Sequence, residues 1–103
     1  MLAKLALATV ALLAVSEAAE GQSRRTKSGY AACLTREDHS QFTRYIVNRD
    51  QEAAASLIAQ SRCIMLRAGV EVFIEDTKIL GGQIKIRPKG ATIGLWTNIE
   101  AIT

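Results

Sequence analysis

Few side chains in this sequence have the types and spacing for covalent chemistry. His39 is the only histidine, and a serine or cysteine nucleophile needs a base of that kind beside it. It falls on the polar side of a predicted helix, which makes it a surface histidine rather than a general base. Cys33 and Cys63 are the only cysteines; one histidine and two cysteines that can bridge leave nothing from which to build a zinc site. They also lack the C-x-x-C spacing that lowers a thiol pKa for redox work. Glu75 and Asp76 are adjacent carboxylates, but neighbours on a strand face opposite sides, so paired-carboxylate glycosidase chemistry is unsupported. No P-loop lysine pattern follows Gly81-Gly82. The sequence therefore predicts no enzyme, no metal site and no cofactor.

What remains is binding chemistry. Lys85, Arg87 and Lys89 recur at alternate positions, so a strand through them lines all three along one face. Trp96, on a following strand, can sit beside them. An exposed aromatic flanked by cations suits a peptide carboxylate, an anionic polymer or a protein partner. The competing reading makes Trp96 a core residue and the cations a solvated sheet face.

The compartment is written at the start of the chain. Lys4 is followed by an apolar run from Leu5 to Val15, broken by Thr9, and by small residues at Ser16, Ala18 and Ala19. A charged start, an apolar run of about 7 to 15 residues and a small-x-small site form a secretory signal peptide, with cleavage expected after Ala18. The run falls short of the roughly 20 apolar residues that span a bilayer. The sequence thus predicts a periplasmic or secreted protein of roughly 85 residues, near the size where one core is only marginally stabilising. In an oxidising compartment Cys33 and Cys63 form a disulfide, worth about 3 to 4 kcal/mol for a loop of this length; free buried thiols are the alternative. The formal charge of +3 is no nucleic-acid signature. Arg24, Arg25 and Lys27 lie in a stretch from Glu20 to Gly29 nearly devoid of apolar residues, so residues 19–29 read as a flexible basic tail. At most, this tail makes weak membrane-surface contact.

The folded part, expected over residues 30–103, must position these groups. Thr35 as N-cap with Asp38 three residues on predicts a helix to about Asn48, with Phe42, Tyr45 and Ile46 on its apolar stripe. Asp50 caps a second, alanine-rich helix with Leu57 and Ile58 facing inward. From Cys63 the pattern turns to period-two alternation. Strands are expected over Ile64–Leu66, Val70–Ile74 and Ile84–Ile86, and around Leu95. Asp76-Thr77-Lys78 is read as a polar break, and Asn98–Ile102 as a short helical turn.

The residues Ala68-Gly69-Val70 with Val72, then Gly82, Ile84-Lys85-Ile86-Arg87 and Gly90, then Gly94-Leu95-Trp96 with Ile99 and Ile102, resemble the bacterial SH3-like (SH3b-type) β-barrel. The similarity covers about the last forty residues. Gln83 stands where that pattern often has an aromatic, and Leu95 separates Gly94 from Trp96. The resemblance implies a binding or assembly module of the bacterial envelope that takes a protein partner or a cell-wall component. The expected architecture is α+β, with an N-terminal helical hairpin packed on a small antiparallel SH3-like barrel and clamped there by Cys33–Cys63. A periplasmic inhibitor or immunity-type protein, blocking an enzyme such as a wall hydrolase, is the alternative, although no protruding loop marks an inhibitory element. A subunit of an envelope assembly docked through the basic tail is a third.

Overall fold

The computed structural model describes residues 23–103; the expected signal peptide lies outside the described residues. Six strands form one antiparallel sheet: β1 Ser23–Arg25, β2 Ala31–Cys33, β3 Cys63–Met65, β4 Glu71–Lys78, β5 Gln83–Pro88 and β6 Leu95–Asn98. Their order is β1-β4-β5-β6-β2-β3. Two helices, α1 Arg36–Val47 and α2 Gln51–Ala59, leave the sheet after β2 and return to it at β3. Single 3-10 turns at Ile79–Gly81 and Ile99–Ala101 follow β4 and β6.

The class is α+β, but the expected hairpin-on-barrel arrangement is not what forms. The helices are not an N-terminal hairpin: two strands precede them, and both belong to the sheet. The helical pair is an excursion between neighbouring strands β2 and β3. Nor are residues 23–29 a free tail. Ser23–Arg25 pairs with Phe73, Val72 and Glu71, and Thr26 is buried, its hydroxyl donating to the Arg67 carbonyl. Thr26 also bridges Ile102, and the Thr103 N–H donates to the Arg25 carbonyl, so residues 102–103 lie against the Arg25 end of β1. Arg24 and Arg25 reach the backbone carbonyls of Thr103 and Gly69.

Both helices start as their caps dictate. Thr35 accepts from the Asp38 N–H at 3.0 Å and Asp50 from the Ala53 N–H at 3.1 Å, each satisfying an amide without an intrahelical partner. The Asp38 carboxylate is buried and accepts from Arg62 at 2.6 Å, tying the first turn of α1 to the loop after α2.

Two apolar clusters lie on opposite sides of β2. Ala31 and Cys33 pack with Phe42, Ala54, Leu57 and Cys63 under the helices. Ala32 points the other way, into a cluster with Leu66, Val72, Ile84, Ile86 and Ala101. A strand buried on both faces shows no polar alternation, and here only small residues fit. Of the expected inward stripes, Phe42 and Leu57 are buried while Ile46 and Ile58 are exposed. Cys33 and Cys63 are register partners across β2 and β3 with Cα atoms 4.0 Å apart, and their sulfurs are bonded. The disulfide closes the helical excursion at its base.

The expected break at Asp76–Lys78 is absent. β4 continues to Lys78 through a bulge between Ile74 and Asp76, which keeps Ile74 opposite Ile86 while adding one residue to β4.

Candidate functional site

Alternation along β5 sends Ile84 and Ile86 into the core and leaves Gln83, Lys85 and Arg87 on the other face. Register carries that face across the sheet: Lys85 lies opposite Trp96, Gln83 opposite Asn98, and Arg87 opposite Phe73. On its other side Trp96 lies opposite Cys33. Helix α1 covers the Cys33 and Gln83 end. Trp96, Lys85, Arg87 and Phe73 are left half-buried beyond its edge.

The four expected binding residues therefore share one face but not one situation. Arg87 is engaged: its guanidinium lies 5.1 Å from the Phe73 ring centroid and donates to Glu75 at 3.0 Å. Lys89 continues the line past Pro88, where its ammonium sits 3.5 Å from Glu71. The Ser23 hydroxyl bonds the same carboxylate at 2.6 Å and holds its pKa below the usual value. Lys85 has no ion pair among the described residues. Trp96 belongs to neither apolar cluster, so it is a partly open surface aromatic rather than a core residue.

One cation that the sequence did not single out joins them. Arg36, the first residue of α1, places its guanidinium 6.0 Å from the Trp96 ring centroid and donates from Nε to Gln83 Oε1 at 2.7 Å. That bond sets the orientation of a whole network. Arginine carries only donors, so the Gln83 atom facing it is the amide oxygen. The amide nitrogen then donates to His39 Nδ1 at 2.8 Å and to Ser40 Oγ at 3.2 Å. Nδ1 is thereby an acceptor, the proton of the neutral ring sits on Nε2, and Nε2 donates to Asn98 Oδ1 at 3.1 Å.

His39 is consequently no surface residue. It is 3 % exposed, and burial pulls its pKa below the ordinary imidazole value while the Asn98 bond works in the opposite sense. The polar side of α1 does not face solvent throughout, because its first turns rest on the polar end of β5 and β6. Gln83, the residue where the SH3-like pattern has an aromatic, is the centre of that contact. The signal in the sequence is weak: a lone glutamine opening a strand whose next residues alternate cleanly. Both ring nitrogens of His39 are engaged. Among the described residues no group of three or more His, Cys, Asp or Glu could hold a metal ion.

A second exposed feature ends the β4–β5 hairpin. Residues 75–81 are all exposed, and at the tip Ile79 is 78 % and Leu80 fully exposed. Gly82, in the left-handed conformation at φ 64°, returns the chain into β5. This corrects the expectation that no loop protrudes.

No protein-family model, curated protein or solved structure matches the chain. No described helix is long and apolar enough to cross a membrane.

Proposed function

We propose that the protein is a small, non-catalytic binding or assembly module of the bacterial envelope, acting in the periplasm or outside the cell after signal-peptide removal. The observation that carries this reading is the half-buried Trp96 between Arg36 and Lys85, neither of which has a counterion among the described residues. Aromatics with arginine dominate binding hot spots because they bury large area at little entropic cost. The two open positive charges favour an anionic partner, either an envelope protein or a wall component. The disulfide and the apolar run from Leu5 to Val15 support an oxidising destination. Engagement of both nitrogens of the sole histidine supports a role without acid–base catalysis.

The test is crosslinked capture from the envelope fraction and from isolated wall sacculi, with residues 19–103 as bait so that β1 is kept. A partner held by the wild type and lost with both Trp96→Ala and Lys85→Glu supports the reading. Equal capture by all three baits places the binding surface elsewhere and refutes it.

The inhibitor reading has one observation in its favour, the apolar tip Ile79–Leu80 on a long exposed hairpin. A knob of this form suits the cleft of an enzyme. Inhibition of a wall hydrolase that disappears in the Ile79→Ser, Leu80→Ser double variant and survives Trp96→Ala would favour it over the face centred on Trp96.

A further inference from the structure

Arg36 is a cation held in position without a counterion among the described residues. Its Nε is bonded to Gln83 and its guanidinium approaches the Trp96 ring. A Cβ at Gly81 would come within 3.0 Å of its Nη2. Gly81 lies outside the left-handed region, so what its missing side chain provides is room beside the guanidinium rather than backbone freedom. No ion pair among the described residues includes Arg36.

Beside this group is an open cavity of about 300 Å³, lined by Arg36, His39, Ser40, Thr43, Gln83 and Asn98 with Gly81 at its margin. Its chemistry is one-sided. Gln83 spends its amide on Arg36, His39 and Ser40. Ser40 accepts from Gln83, leaving its own proton free to donate. Thr43 has no side-chain partner among the described residues. His39 is neutral because Nδ1 accepts and Nε2 donates. The lining thus carries a single formal charge, on a planar fork whose terminal N–H groups have no hydrogen-bond partner among the described residues.

We propose that this cavity is a subsite for one carboxylate of a bound peptide, with Arg36 as its anion-binding residue and the hydroxyls of Ser40 and Thr43 as further donors. A guanidinium fork matches a carboxylate through two parallel bonds. One positive charge neutralises a monoanion, whereas a dianionic phosphate leaves a charge uncompensated beside the neutral His39 and Gln83. The volume admits a group of about amino-acid size. The carboxylate comes from the C-terminus of the peptide or from an acidic side chain. This subsite rests on the reading of the Trp96 face as a binding surface and gives that face its chemical selectivity.

Trp96 is the sole tryptophan, so its emission reports events at Arg36. The purified domain is titrated with acetyl-Ala-Ala, with acetyl-Ala-Glu-amide, with acetyl-Ala-Ala-amide and with inorganic phosphate. A saturable change with one or both acids, tighter than with the amide or phosphate, is expected, and which acid binds identifies the source of the carboxylate. Arg36→Lys, which keeps the charge and loses the fork, is expected to weaken acid binding by about tenfold. Amide shifts at Ser40 and Thr43 in the wild-type protein give a second readout that needs no variant. Equal response to acid and amide, preference for phosphate, full affinity in Arg36→Lys, or no shift at Ser40 and Thr43 overturns the subsite. If the peptides fail while Trp96→Ala still abolishes partner capture, the subsite falls and the binding face stands. If they bind while capture is indifferent to Trp96, the reverse holds.

Discussion

Replacing Gln83 by leucine removes the hub of the polar network while keeping a side chain of similar length in the same space. Four hydrogen bonds go with it, two of them short, to Arg36 Nε at 2.7 Å and to His39 Nδ1 at 2.8 Å. Each short bond is worth about 1 kcal/mol net, and the acceptor nitrogen left buried on His39 costs a further 1 to 3 kcal/mol or so. The weaker bonds, at 3.2 and 3.4 Å, are neglected. The loss comes to about 3 to 5 kcal/mol, which for a domain of this size lowers Tm by roughly 12 to 40 °C. Urea unfolding followed by Trp96 emission and by circular dichroism measures it as a lower midpoint at unchanged slope. Adding His39→Phe removes the orphaned nitrogen as well, so the double variant should be less destabilised than the two single losses combined, by about 1 to 2 kcal/mol. A loss below about 0.5 kcal/mol for Gln83→Leu, or strict additivity with His39→Phe, would refute the network as the element holding α1 on the sheet.

Three other outcomes follow from the same structure. Replacing Cys33 and Cys63 together by alanine opens the loop between them, a separation of 30 residues, and should cost about 3 to 4 kcal/mol on the chain-entropy model, read from denaturation of the variant against the oxidised wild type. Because His39 is held neutral with a lowered pKa, the unfolded chain takes up its proton first. Stability should therefore be complete above about pH 6.5 and decline as pH falls below it, and His39→Gln should flatten that slope. Ile79→Ser with Leu80→Ser touches no packed contact and should change stability by less than about 0.5 kcal/mol, so any functional loss in that variant reports on docking; a large drop in Tm would mean that the tip is packed after all.

Local chemistry is legible in the order of the residues alone. The helix starts at Thr35 and Asp50 depend on side chains and amides three residues apart, and the single face shared by Lys85 and Arg87 depends only on strand alternation. With two cysteines in the chain, a disulfide has one possible pairing. The expected SH3-like similarity draws on such local patterns too, and no comparison with known proteins bears on it.

Tertiary structure decided what contacts distant in sequence decide. β2 is three small residues without alternation because both its faces are buried, a pattern that looks like no strand at all. β1 is polar because it sits at an edge, and only pairing with β4 and the Thr26–Ile102 bridge make it part of the fold. His39 looks exposed in the sequence because its helix position is polar, yet its partners lie 44 and 59 residues away. Arg36 becomes a positioned cation only when Gln83, Gly81 and Trp96 arrive around it. A sequence states which side chains can cap, alternate or pair with near neighbours; which polar groups share a buried site depends on the sheet order and register that bring distant segments together.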